Sequence, residues 1–193
     1  MKKRLLKIIS LITLIALMTL QVFALTGCGE KNCVEMKVRG FGTVIIELYP
    51  DVAPITVENF TTLIEEGFYD GLTFHRIMAN FMIQGGMPDE NSREVETIYG
   101  EFALNGFENT LSHTRGVISM ARANHPDSAS SQFFICNTDY PYLDGSYAAF
   151  GKVVEGIEVI DAITEYGIQY TIDGIIYDEE YRPVIESMRM VRH

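Results

Sequence analysis

From residue 34 onward the chain keeps returning to runs of four to nine residues in which apolar side chains alternate or crowd together, each closed by Gly, Pro, Asn, Asp or Ser clusters. Runs of that length are strands, and every strand edge must find a partner or be covered. "VEMKV" (34–38) and "TVIIELY" (43–49) flank "RGFG" as a hairpin, and further runs lie at 73–77, 81–84, 116–121, 131–136, 148–153 and 183–191. Helical periodicity occurs twice. Residues 53–67 place apolar side chains at 57, 60 and 64 between Pro54 and Gly67, and residues 156–164 set Ile157, Ile160 and Ile163 opposite Glu158 and Asp161. The polar stretch 87–101 is expected as a surface loop. About eight strands with two helices predict a mainly β fold, a closed eight-stranded antiparallel barrel capped by two α-helices, because closure leaves no exposed edge.

The first 28 residues differ from the rest. Lys2, Lys3, Arg4 and Lys7 precede a run from Ile8 to Leu25 that is apolar apart from Ser10, Thr13, Thr19 and Gln21, and the segment ends in "LTGC". That ending matches a bacterial lipobox, so residues 1–27 are expected to be a lipoprotein signal peptide, with Cys28 the lipidated N-terminus and 28–33 a short tether. An uncleaved membrane anchor is the alternative. Either way the domain 34–193 is expected outside the cytoplasm, held to the bacterial membrane, and as a monomer. Loss of residues 1–27 removes four positive charges and no acidic ones from a net charge of −11, leaving −15. A surface that acidic repels phosphate backbones, so nucleic-acid partners are not expected. Of the three cysteines, Cys136 ends the apolar run "FFIC" and is expected as a buried small hydrophobe; a Cys33–Cys136 disulfide is the other reading. Cys/His spacing for a metal is lacking, and no cofactor is expected.

Strand alternation groups side chains by face. Gln132, Phe134 and Cys136 share one face and Phe133 and Ile135 the other, while Met82 and Gln84 share a face on their own strand. With Arg76 they make a pocket of apolar walls, two amides and one fixed cation, without a nucleophile, a carboxylate pair or a metal cluster. A serine hydrolase would want G-x-S-x-G, which the chain lacks. Ser130, Ser131 and His125 fit turn chemistry around Pro126, His75 reads as structural, and His113 as fixing a turn.

The segments "FHRIMANFMIQGG", "GVISMARA", "SQFFIC" with "YLDG", and "FGKV" resemble, in order and near spacing, the signature segments of the cyclophilin family of peptidyl-prolyl cis-trans isomerases. The resemblance spans roughly residues 34–192. It implies a barrel with a peptide groove on its outer face, Arg76 as the catalytic arginine, and Phe81, Met82, Phe134 and Leu143 lining a proline pocket. Gln84 and Gln132 would contact the substrate backbone or orient the arginine, and Ala121 and Arg122 would form the groove rim, where many eukaryotic members carry asparagine in place of arginine. Tyr142 stands where cyclosporin-sensitive members carry tryptophan, and Tyr147 where many eukaryotic members carry histidine; both would keep an aromatic wall. The implied substrates are X-Pro bonds in partly unfolded secreted or envelope proteins. A module that captures proline segments without turning them over, and a purely structural lipoprotein, are the competing readings. The run 166–182 is longer and more aromatic than a connection needs and is expected to pack on the barrel as a surface extension or to meet a partner.

Overall fold

The computed structural model describes residues 32–193, so the expected signal segment 1–27 and Cys28 lie outside the described residues. Among the described residues eight strands form: β1 Cys33–Val38, β2 Gly42–Leu48, β3 Phe74–Met78, β4 Met82–Gly85, β5 Val117–Met120, β6 Phe133–Cys136, β7 Ala149–Glu155 and β8 Ile185–Val191. They hydrogen-bond in the order β3-β4-β6-β5-β7-β2-β1-β8, and every pairing is antiparallel. Helix α1 (Pro54–Glu65) packs against β8, and α2 (Ile157–Gly167) against β2, β3 and β4.

The expected closure does not occur. The sheet curls into an open half-barrel, and its terminal strands β3 and β8 share no ladder: they meet at one end alone, where Thr73 and Val184 form an isolated bridge flanked by bonds from Ile185 N to Leu72 O, Gly71 N to Ile185 O and Phe74 N to Pro183 O. The rest of the β3 edge is met by the 166–182 run. Gly174 O accepts from Ile77 N at 2.8 Å, and Ile176 N donates to His75 O at 2.9 Å. Residues 174–176 therefore cover edge groups of β3 beyond the bridge, where the antiparallel register set by Thr73 and Val184 runs away from β8. The run packs as a surface extension, with Phe41, Tyr166, Tyr170 and Tyr181 in a train of ring contacts 5.3, 4.9 and 4.4 Å apart.

Alternation along the strands sorts the apolar residues into two clusters. Phe133, Ile135 and Ile83 face the interior beneath the helices, where Phe60 of α1 touches Tyr69, Phe133 and Phe150 at centroid distances of 5.2, 5.6 and 4.9 Å. Met82, Phe134 and Cys136 face the opposite side with Leu143. Both Cys33 and Cys136 are buried and unpaired, so the alternative disulfide is not formed. Burial also pushes the Cys136 thiol up to about 12, which leaves it protonated and unreactive at neutral pH.

Helix α1 starts without a local cap, because the methyl of Ala53 offers no acceptor. Glu101 supplies the cap from a distant loop. Its Oε1 accepts from Ile55 N at 3.0 Å, and its Oε2 from Thr56 N at 2.8 Å and Thr56 Oγ1 at 2.6 Å. The carboxylate is fully buried, at 0 % exposure, so the helix N-terminus is its counter-charge.

Candidate active site

The site is built on the β3–β4 hairpin. Asn80 turns the chain at φ 56°, a left-handed conformation that asparagine tolerates, and register then sets Arg76 opposite Gln84 and Met78 opposite Met82. Strand β6 extends the surface by pairing Gln84 with Phe134 and Met82 with Cys136. The result is a cavity of about 230 Å³. Phe81, Met82, Phe134, Leu143 and Tyr147 wall it, and Arg76, Gln84, Ala121 and Arg122 supply its polar side and rim.

Arg76 is half-buried and held by neutral groups. Its Nη1 donates to Gln84 Oε1 at 3.2 Å, its Nη2 to Met78 Sδ at 3.2 Å, and its Cζ lies 6.0 Å from the Phe81 ring centroid. Gln84 Nε2 donates in turn to Gln132 Oε1 at 2.9 Å. This chain of bonds fixes both amide orientations, because an arginine can only donate. Among the described residues no carboxylate pairs with Arg76, so its charge is available to whatever enters the cavity. Met78 is itself backed by the extension: a Cβ on Gly174, where φ is +81°, would lie 2.7 Å from Met78 Cγ. Side chains at 174 are thereby disfavoured twice, by the backbone and by the side chain that holds the arginine.

Phe134, 4 % exposed, forms the floor. Tyr147 meets it edge-on at 5.7 Å, and His113 lies parallel to it at 5.9 Å. His113 is fixed at both ring nitrogens, Nδ1 to Asp144 Oδ1 at 2.7 Å and Nε2 to Ser119 Oγ at 3.0 Å. Burial lowers its pKa despite the neighbouring carboxylate. The ring is therefore neutral, Nδ1–H donates to Asp144, and Nε2 accepts from the Ser119 hydroxyl. Sequence reasoning gave His113 a turn, and missed the brace it forms with Asp144 because two loop residues 31 apart share no periodicity.

Two predicted site residues lie elsewhere. Tyr142 is 87 % exposed and touches Tyr140 rather than the cavity, at a centroid distance of 5.7 Å. Its position in a short 3₁₀ turn, Pro141–Leu143, buries Leu143 and turns the neighbouring tyrosine outward. Gln132 lines a second cavity of about 280 Å³, which shares Gln84, Ala121 and Arg122 with the first.

The buried histidines give a pH dependence of stability. Burial first, then the Arg182 charge, lowers His75 from 6.5 to about 4. In the unfolded chain His75 gains a proton below pH 6.5, whereas the folded chain resists until about 4. Its stabilising share is thus complete above pH 6.5 and lost as pH falls through that window, about 3 kcal/mol in all. His113 acts in the same sense. Asp70 is held low mainly by its hydrogen bond from Arg189, so its share is lost only below the usual carboxylate range. Urea midpoints should therefore fall between pH 7 and 4.5, and less so for His75→Phe; equal midpoints at both pH values would contradict the assignment.

The sequence model for cyclophilin-type peptidyl-prolyl cis-trans isomerases matches residues 33–189. The chain belongs to the cyclophilin family. It is 45% identical over 138 residues to a peptidyl-prolyl cis-trans isomerase of Acinetobacter baylyi, covering 69% of this chain and 72% of that protein. Over 119 residues it is 46% identical to a peptidyl-prolyl cis-trans isomerase of Schizosaccharomyces pombe, covering 61% and 76% of the two chains. Among solved structures, a Cryptosporidium parvum cyclophilin-type isomerase crystallised in the presence of the dipeptide Ala-Pro superposes with a TM-score of 0.71 at 26% identity, over 83% of this chain and 99% of that one. This cyclophilin is accordingly a peptidyl-prolyl cis-trans isomerase.

Proposed function

We propose that the enzyme accelerates rotation of X-Pro bonds in secreted or envelope proteins, with Arg76 as its catalytic residue, from a position lipid-anchored through Cys28 outside the bacterial cytoplasm. The observation that carries the mechanism is a guanidinium without a carboxylate partner beside an apolar slot floored by Phe134.

Rotation about an X-Pro bond crosses a barrier of about 18–20 kcal/mol because the planar amide is resonance-stabilised. No covalent bond breaks, so a site without a nucleophile suffices. As the amide twists, conjugation is lost and the prolyl nitrogen recovers a lone pair. A guanidinium N–H can donate to that nitrogen in the twisted state but hardly in either planar ground state, and this difference lowers the barrier. Phe81, Met82, Phe134 and Leu143 seat the ring, and the bonds to Gln84 and Met78 hold the guanidinium in place before substrate arrives. Arginine suits the task because it stays protonated and its donors are rigidly directed.

The anchored location rests on the basic, apolar and "LTGC" segments of residues 1–28. Fractionation of cells expressing the full chain tests it: wild type should sediment with membranes carrying prolyl isomerase activity, and Cys28→Ser should shift that activity to the soluble fraction. Unchanged partition of Cys28→Ser would remove the lipid anchor. Binding of proline peptides without faster exchange in either fraction would leave the capture-module reading.

A further inference from the structure

Arg122 is the second cation of the groove, and the wall it shares between the two cavities gives it a position that catalysis does not use. Its Cζ lies 4.7 Å from the Tyr147 ring centroid and 5.0 Å from that of Phe102. Its Nε donates to Ser146 O at 3.0 Å and its Nη1 to Ala123 O at 2.9 Å. With a longer bond from Nη1 to Asn124 O at 3.4 Å, two rings and three carbonyls thus fix the guanidinium plane, while Nη2 donates to no protein atom among the described residues. Arg93, Arg115, Arg182 and Arg189 each hold a carboxylate; Arg122, like Arg76, holds none. No acidic residue lines either cavity.

The rest of the molecule has the opposite sign, with a net charge of −11. Acidic segments are repelled at long range, so a groove meant for uncharged peptides alone would have no use for a second unpaired, pre-oriented cation. We infer that Arg122 is a specificity-determining residue that selects proline segments carrying a glutamate or aspartate close to the proline, the acidic side chain entering the second cavity and accepting from Nη2 while the ring occupies the first. The selection needs no rearrangement, because the free donor is already held in place, and Gln132 stands in the same cavity with its Nε2 unengaged by Gln84. A basic side chain at that position meets a like charge and is rejected.

The inference rests on the isomerase reading, and the test separates the two. The full chain is assayed on X-Pro peptides bearing Glu, Gln or Lys singly at each of the two positions before and the two after the proline. At one position the wild type should turn over the Glu peptide about fivefold better than the Gln peptide in kcat/KM, with Lys worse than Gln, and the ratio should shrink in high salt. Because the readout is a ratio within each variant, general damage to the groove cancels. Arg122→Gln should bring the Glu-to-Gln ratio to about one, and Arg122→Lys should retain part of it. A ratio near one at all four positions in an active wild type would overturn the inference, as would a ratio that survives Arg122→Gln. Failure to accelerate any peptide would overturn the isomerase reading and the inference with it.

Discussion

Arg76→Ala is expected to lower kcat/KM for an X-Pro peptide by about a hundredfold to a thousandfold, the loss typical of removing one preorganised donor aimed at a transition state. The fold should be untouched. Arg76 is half-buried and its partners Gln84 and Met78 are neutral, so no charge is stranded by its removal. Arg76→Lys should recover only a small part, since an ammonium cannot hold the Gln84 amide and the Met78 sulfur while presenting a directed donor to the prolyl nitrogen. Isomerisation rates measured beside circular-dichroism melts would decide the matter. A fall of less than about fivefold in a folded variant would leave orientation in the slot as the main source of catalysis.

Glu101→Ala should cost about 3 kcal/mol of stability, lowering the melting temperature by roughly 10 °C in a domain of this size. The substitution strands two backbone N–H groups at the start of α1 and the buried Thr56 hydroxyl, and it leaves the positive end of the helix without its counter-charge. Glu101→Gln keeps an acceptor oxygen and should lose about half as much. Loss of less than about 1 kcal/mol for the alanine variant, read from urea unfolding, would show that water replaces the carboxylate and that the distant cap is incidental. The effect on isomerisation should be small, because α1 packs beneath the sheet and none of its residues lines the groove.

How much of this was readable in advance follows from the range of each interaction. Alternation within 131–136 is enough to put Phe134 and Cys136 on the opposite face from Phe133 and Ile135, because the period of a strand is fixed by its own backbone. The hairpin 74–85 likewise brings Arg76 and Gln84 together through a turn of a few residues. Glu101 is another matter. It caps a helix 46 residues upstream, and nothing between "GEF" and "APIT" marks the pairing. The covering of the β3 edge by residues 174–176 was hidden for the same reason, since it depends on where the extension lands. Tyr142 shows the limit of residue type: an aromatic identity next to Leu143 does not say which of the two a 3₁₀ turn buries. Met78 drew no reading from the sequence, although its sulfur accepts from the guanidinium at 3.2 Å.

The most direct test of the proposed mechanism separates binding from turnover. Nuclear magnetic resonance exchange spectroscopy on an Ala-Pro peptide, with wild type and Arg76→Ala, reports the affinities for the cis and trans forms and the rate of their interconversion on the protein. A donor that acts in the twisted state predicts affinities within about threefold of wild type and an on-enzyme exchange rate slower by about a hundredfold. Affinity that falls in proportion to activity, with unchanged exchange once bound, would contradict it and make Arg76 a binding residue alone.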